Sequence, residues 1–208
     1  MNQLHKPLRE LWAFGTKTFK EVDKETDTQW GWEIQEDTLY LKFQGSVSRL
    51  DWRQNLDFLA TPYKDMKPKF KVHRGFLGKW KAIQENVQSK ITKEINKVII
   101  VGFSQGGALA LLAHEDIWFN HEQLRDSLET YAFGTPRVFS WLAPRDRFEN
   151  VTYIQYKGDM VCGVPPWFFG YKHMSKNWIT IPEGDKWPQW FRIHPIHHME
   201  YFEYFKED

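Results

Sequence analysis

A serine stands alone between two glycines in KVIIVGFSQGGALALLAHE, residues 97–115. A β-branched run stops at Gly102, Ser104 follows, and small residues lead into an apolar stretch. A sharp strand-to-helix turn there would expose the hydroxyl and let backbone N–H groups surround whatever it attacks. The chemistry is nucleophilic, and a serine hydroxyl, barely ionised at neutral pH, needs a neighbouring base to take its proton. Asp159 is the candidate acid, because it follows the β-type run NVTYIQY through a turn at Gly158, whereas Asp146 and Asp185 directly follow no such run. It would hold a histidine in the right tautomer and stabilise the imidazolium that forms. His194, His197 and His198 come last in the chain, so the order is Ser…Asp…His. The backbone N–H of Gln105, opening the helix after the nucleophile, is a candidate oxyanion donor.

These groups need elements that bring them to one place. TLYLKFQG, residues 38–45, alternates as a strand does, with Leu39, Leu41 and Phe43 on one face. Phe76, Trp80, Ile83, Val87 and Ile91 recur at three- and four-residue steps, which predicts an amphipathic helix. KVIIVGF, LETYAFG and NVTYIQY read as further strands, and ALALLAHE as a helix. Strands interleaved with helices predict an α/β fold, a mostly parallel sheet with helices on both faces. In such sheets ligands sit beyond the carboxyl ends of the strands. Ser46, Ser104 and Asp159 all fall at such ends. Residues 1–208 read as a single domain, with residues 165–195 as an irregular insertion in it.

Composition narrows the function. A net charge of +1, from 28 basic and 27 acidic residues, gives no electrostatic case for nucleic acid. The one cysteine, Cys162, excludes an intrachain disulfide framework. The first residues, MNQLHKPLRELWAFG, lack the apolar core and cleavage site of a signal peptide, and nowhere does an apolar run reach transmembrane length. A soluble chain in the cytoplasm is expected. No histidine and cysteine spacing suits a metal and no phosphate loop appears, so no cofactor is expected. Much of the aromatic content, 17% of the chain, falls in residues 165–191, as core or as an acyl-chain groove.

Several motifs together resemble those of the class 3 lipases, a family of α/β-hydrolases. FQGSVSRLDWRQNL, VHRGFLGKW, GFSQGGALA, YAFGTPRV and YKGDMVCGVPPWFFGYKHMS are similar to its segments, in the same order, and the likeness runs over about residues 38–205. The resemblance implies the α/β-hydrolase fold, Ser104 as nucleophile, Asp159 as acid and Ser46 as a second oxyanion donor. It also bears on the base, since the family's histidine is often followed three residues later by tyrosine. His198-Met-Glu-Tyr201-Phe202 has that spacing, which selects His198 over His197. His73 and His173 match positions outside the triad and read as structural. Phe103 and Gln105 stand where the family commonly has histidine and leucine, which bears on substrate preference. Gln44 replaces an arginine, and the first 37 residues match no motif of the family.

The expected function is therefore hydrolysis of carboxylic esters of acylglycerols or related lipids through an acyl-enzyme, at a lipid–water interface. A thioesterase, amidase or acyltransferase on the same triad, or a binding protein that keeps the fold without turnover, are the alternatives.

Overall fold

The computed structural model of the protein describes residues 5–45, 59–63, 69–182 and 198–206. In chain order the elements begin with α1 (His5–Thr16), β1 (Glu21–Asp23), β2 (Thr28–Gln35), β3 (Thr38–Phe43), β4 (Ala60–Tyr63) and β5 (Phe70–His73). Next come α2 (Arg74–Gln88), β6 (Lys97–Phe103), α3 (Gln105–Asn120), β7 (Leu128–Phe133) and β8 (Phe139–Ser140). The chain continues through β9 (Val151–Tyr156), β10 (Tyr171–Lys172), β11 (Asn177–Ile181) and α4 (Glu200–Tyr204).

A seven-stranded sheet has the order β1-β2-β3-β6-β7-β9-β11. Its pairings are parallel from β3 through β11 and antiparallel among β1, β2 and β3. β6 lies inside it and shows why its sequence is apolar from Val98 onward. Val98 and Ile100 pack into the core shared with α2 and α3, while Val101 and Phe103 pack with Leu8 and Trp12 of α1 and Tyr201 of α4. Successive strand residues point to opposite faces, so a strand covered by helices on both faces needs apolar residues at every position. The expected α/β arrangement is present. A second, antiparallel sheet of four strands, β10-β8-β5-β4, packs its inner residues Phe70, Val72 and Phe139 into the α2 side of that core.

The predicted helical face of α2 is the buried one, Phe76, Trp80, Ile83 and Val87; the helix ends at Gln88, and Ile91 packs partly buried beyond it. α3 is buried on all sides from Gln105 to Ile117. Several of its polar side chains consequently pair with neighbouring elements. Asp116 accepts hydrogen bonds from the side-chain amides of Gln84 (2.8 Å) and Gln88 (2.6 Å) on α2. His114 meets the Thr130 hydroxyl at 2.9 Å through Nδ1 and the Arg147 carbonyl at 2.8 Å through Nε2. Glu115 forms an ion pair with Arg147. The residues before β3, without a motif of their own, form α1, β1 and β2, and the described part of the Pro/Gly-rich segment holds β10 and the parallel edge strand β11.

α3 sits close enough to β6 and β3 that two glycines are obligatory. A Cβ on Gly106 would strike the Phe43 carbonyl, and one on Gly102 would strike the Gly106 carbonyl. Backbone cannot swing aside as a flexible side chain can. Gly106→Ala is therefore expected to lower stability by ~1–3 kcal/mol, the usual cost of overpacking; an unchanged urea midpoint would show that the helix can retreat freely.

Burial pushes the His114 imidazole down to about 4, against a smaller opposing effect of its bond to the Arg147 carbonyl. The unfolded chain takes up that proton near 6.5, so the contribution is complete above pH 6.5 and is lost as pH falls through about 4. A gap of this size corresponds to ~3 kcal/mol. Glu115, raised to about 7 by burial against the attraction of Arg147, works in the opposite direction over the same range. Comparison with a variant isolates the histidine: His114→Gln is expected to lose less stability than the wild type between pH 7 and 4. Parallel stability–pH curves for the two would exclude a neutral buried imidazole.

Candidate active site

The turn between β6 and α3 puts Ser104 at φ 56 and ψ −122, a conformation in which a side chain is strained. Such residues cost ~1–3 kcal/mol and persist only where surrounding structure fixes them. Here the Ser104 N–H donates to the Phe133 carbonyl at 2.9 Å, and the Ser104 carbonyl accepts from the Ala108 N–H at 3.2 Å. Both flanks of the turn are held, one by β7 and one by α3 itself. Gln105 opens that 16-residue helix beside the hydroxyl. The first turn of a helix carries N–H groups without acceptors inside it and a partial positive charge, which suits a developing oxyanion.

Of the other two sequence-selected groups, one meets Ser104 and the second meets the first. His198 Nε2 lies 2.7 Å from the Ser104 hydroxyl, and His198 Nδ1 lies 3.0 Å from Asp159 Oδ2. All three residues are buried, with Ser104 the most open at 8%. An imidazole that donates from Nδ1 to the carboxylate leaves Nε2 to accept the serine proton. Ser46, the second candidate oxyanion donor, lies outside the described residues, as do His194 and the alternative base His197.

Asp159 is gripped from several sides. Its Oδ1 accepts from the Val161 N–H at 2.9 Å; Oδ2 accepts from the Tyr201 hydroxyl at 2.9 Å and faces the Cys162 thiol at 3.6 Å. Tyr201 in turn accepts from the Tyr156 N–H at 2.6 Å, at the end of β9. The three-residue step from His198 to Tyr201 thus places an imidazole and a phenol on the same carboxylate. Burial, then the charge of Asp159, pushes the Cys162 thiol well above its usual range, so it stays a protonated donor. His173 donates from Nε2 to the Cys162 carbonyl at 2.8 Å, and burial lowers its imidazole to about 4. His73 is buried with its ring stacked on Phe76 at 4.1 Å, and neither it nor the half-buried His173 lines the cavity at Ser104. Of these partners, the tyrosine spacing was visible in the sequence; nothing local in the sequence marked Cys162.

A cavity of about 300 Å³ opens onto Ser104 and His198, within the range of small-molecule sites. Its walls are Phe19, Phe103, Met199 and Phe202, with Gln44 and Gly45 from the end of β3. The Phe103 ring stacks on the His198 imidazole, centroids 4.7 Å apart and planes 18° from parallel. Trp167 and Phe168 do not line this cavity, nor are they core: they lie on an exposed turn beside β10. Trp187 and Trp190 lie outside the described residues.

The parallel sheet, the strained serine and the Ser104–His198–Asp159 contacts define an α/β-hydrolase. The chain belongs to the class 3 lipase family, whose model matches residues 40–169. It is 31% identical to a lipase of Rhizomucor miehei over 79% of this chain and 48% of that one. It is also 28% identical to the secreted mono- and diacylglycerol lipase 1 of Fusarium solani, over 71% of this chain and 46% of the relative. Among solved structures, a lipase from Rhizopus microsporus var. chinensis superposes with a TM-score of 0.68 at 30% identity, covering 79% of this chain and 61% of the other. The chain spans about half the length of the curated relatives named here.

The expected cytoplasmic location is overturned, since such a relative is named as secreted. The expectation rested on the first residues, which carry no signal-peptide pattern; neither they nor the single cysteine fixes a compartment.

Removing the Tyr201 hydroxyl takes a donor from Asp159 and an acceptor from the Tyr156 N–H, both in buried surroundings. Tyr201→Phe is expected to lower stability by ~1–3 kcal/mol, the cost of leaving buried polar groups without that partner. A denaturant midpoint equal to the wild type would mean the phenol does not hold the carboxylate.

Proposed function

We propose that this chain is a serine hydrolase that cleaves carboxylic ester bonds of acylglycerols or related lipids through an acyl-enzyme. The observation that carries the reading is the pair of contacts Ser104–His198 at 2.7 Å and His198–Asp159 at 3.0 Å. In the proposed reaction Ser104 Oγ attacks the ester carbonyl carbon while its proton passes to His198 Nε2. The carbonyl oxygen, now anionic, takes hydrogen bonds from the backbone N–H of Gln105 and, by resemblance to the family, from Ser46. Asp159 stabilises the imidazolium. The intermediate collapses as His198 returns the proton to the leaving alcohol, leaving the acyl group on Ser104. Water then repeats the cycle, with His198 as base, and releases the acid.

The cavity walls support an apolar acyl group, because Phe19, Phe103, Met199 and Phe202 offer rings and a thioether. The names of the relatives support lipid esters and a site of action outside the cell. Action at a lipid–water interface belongs to the same reading, with the apolar cavity walls as its support. No helix among the described residues is long and apolar enough to cross a membrane. We read residues 1–208 as one domain, since the core on the α1 side joins Leu8 near one end to Phe205 near the other.

Ser104→Ala is expected to abolish turnover of a soluble short-chain ester, by roughly a million-fold as for other serine hydrolases, with little change in melting temperature. His198→Ala should match it, while His197→Ala keeps most activity. More than a tenth of wild-type turnover in Ser104→Ala would end the assignment, and the reverse pattern for the histidines would move the base by one residue. Thioesters assayed beside the esters distinguish this reading from a thioesterase.

A further inference from the structure

Outside the lining of the Ser104 cavity, two loops present large apolar side chains to solvent. Trp167, Phe168 and Phe169 form a 3₁₀ turn ahead of β10, and Trp141 and Leu142 follow β8; their exposures run from 51% to 76%. The loops are tied together: the Trp141 N–H donates to the Gly170 carbonyl at 3.1 Å and its indole N–H to the Tyr171 carbonyl at 3.2 Å. Arg137 holds the chain before the turn through the carbonyls of Gly163 and Pro165. These rings therefore stand on a braced backbone, and an exposed apolar cluster of this kind marks an interaction surface.

Beside them lies an open depression of about 600 Å³, with Trp141, Trp167 and Trp178 on its walls together with Arg145, Lys172 and Lys176. Among the described residues no carboxylate lines it, and none of these three cations forms an ion pair. Partial burial, then the neighbouring Arg145 charge, lowers the Lys172 ammonium below its ordinary range. The chain as a whole carries only +1, so this local excess does not follow from a generally basic protein. Like charges gathered without a counter-charge are disfavoured until an anion joins them. Aromatic rings at the tips with cations behind them match a surface whose anionic groups overlie an apolar layer.

We infer that the Trp141–Leu142 and Trp167–Phe169 loops, with Arg145, Lys172 and Lys176, form a docking surface for an anionic phospholipid interface. The rings enter the headgroup layer and the cations take its phosphates. A second copy of this chain fits less well, because a symmetric contact would bring the two cationic clusters together. The surface shares no lining residue with the Ser104 cavity, and its binding does not require ester hydrolysis.

The test is sedimentation of the whole chain with vesicles of phosphatidylcholine, with and without phosphatidylglycerol. Stronger binding to the mixed vesicles is expected, fading between 0.1 M and 1 M salt, where the screening length falls from about 10 Å to about 3 Å. Arg145→Gln with Lys172→Gln should weaken it about 25-fold, roughly fivefold for each cation removed. Trp167→Ala with Phe168→Ala should weaken binding to both kinds of vesicle. Unchanged melting temperature shows that these exposed substitutions leave the fold intact. Equal binding to both vesicles, indifference to the charge substitutions, or ready displacement by inorganic phosphate at matched ionic strength would overturn the inference. So would a dimer in solution that Trp167→Ala dissolves. Sedimentation reads binding alone, so a chain without esterase activity still answers the question.

Discussion

The close approach of α3 to the ends of β3 and β6 is the constraint on which the site depends. Gly102 and Gly106 have backbone carbonyls where a Cβ would go, so the helix can start only a fraction of a turn after the strand stops. The residue between them is forced to φ 56, which turns its side chain out of the strand and away from the helix. Phe133 on β7 and Ala108 on α3 hold that conformation through their hydrogen bonds to the Ser104 backbone. The strain is therefore distributed over two strands and a helix, and a preset hydroxyl position follows from packing rather than from any contact made by the hydroxyl itself.

The same logic explains what the sequence revealed. The serine turn was legible because its causes are local: β-branched residues, two glycines and a small-residue helix within a few positions. Asp159 was legible from its place after β9, and His198 from the three-residue step to Tyr201, which the structure explains as two groups converging on one carboxylate. The second sheet escaped notice because β8 and β10 have two residues each, too few to display a period. α1 escaped as an element of the site because Trp12 and Leu8 meet β6 and α4 only across long stretches of chain. The aromatic segment misled in a different way. Trp167 and Phe168 have the composition of core or groove, and only the fold puts them on an exposed turn.

Trp12 joins the pocket wall to the groups that hold the acid. Its ring centroid lies 5.1 Å from Phe103 and from Phe202, both of the cavity wall, and 5.8 Å from Tyr201, which donates to Asp159. Phe133 and Phe205 complete the cluster at 5.3 and 5.2 Å. Interiors this densely packed transmit displacement instead of absorbing it. A change in the volume of the wall thus reaches the phenol that holds the Asp159 carboxylate.

Phe103 stands at the centre of that linkage. It lies next to Ser104, lines the cavity, and covers one face of the His198 imidazole at 4.7 Å. A polar ring at this place would bring hydrogen-bonding groups beside His198. A phenyl ring brings none. It restricts the tilt of the imidazole and shields that face, while Asp159 and Ser104 meet the ring along its edge. Phe103 therefore acts on both sides of its ring: toward the cavity as an apolar wall, and toward His198 as a plate that holds the imidazole in line.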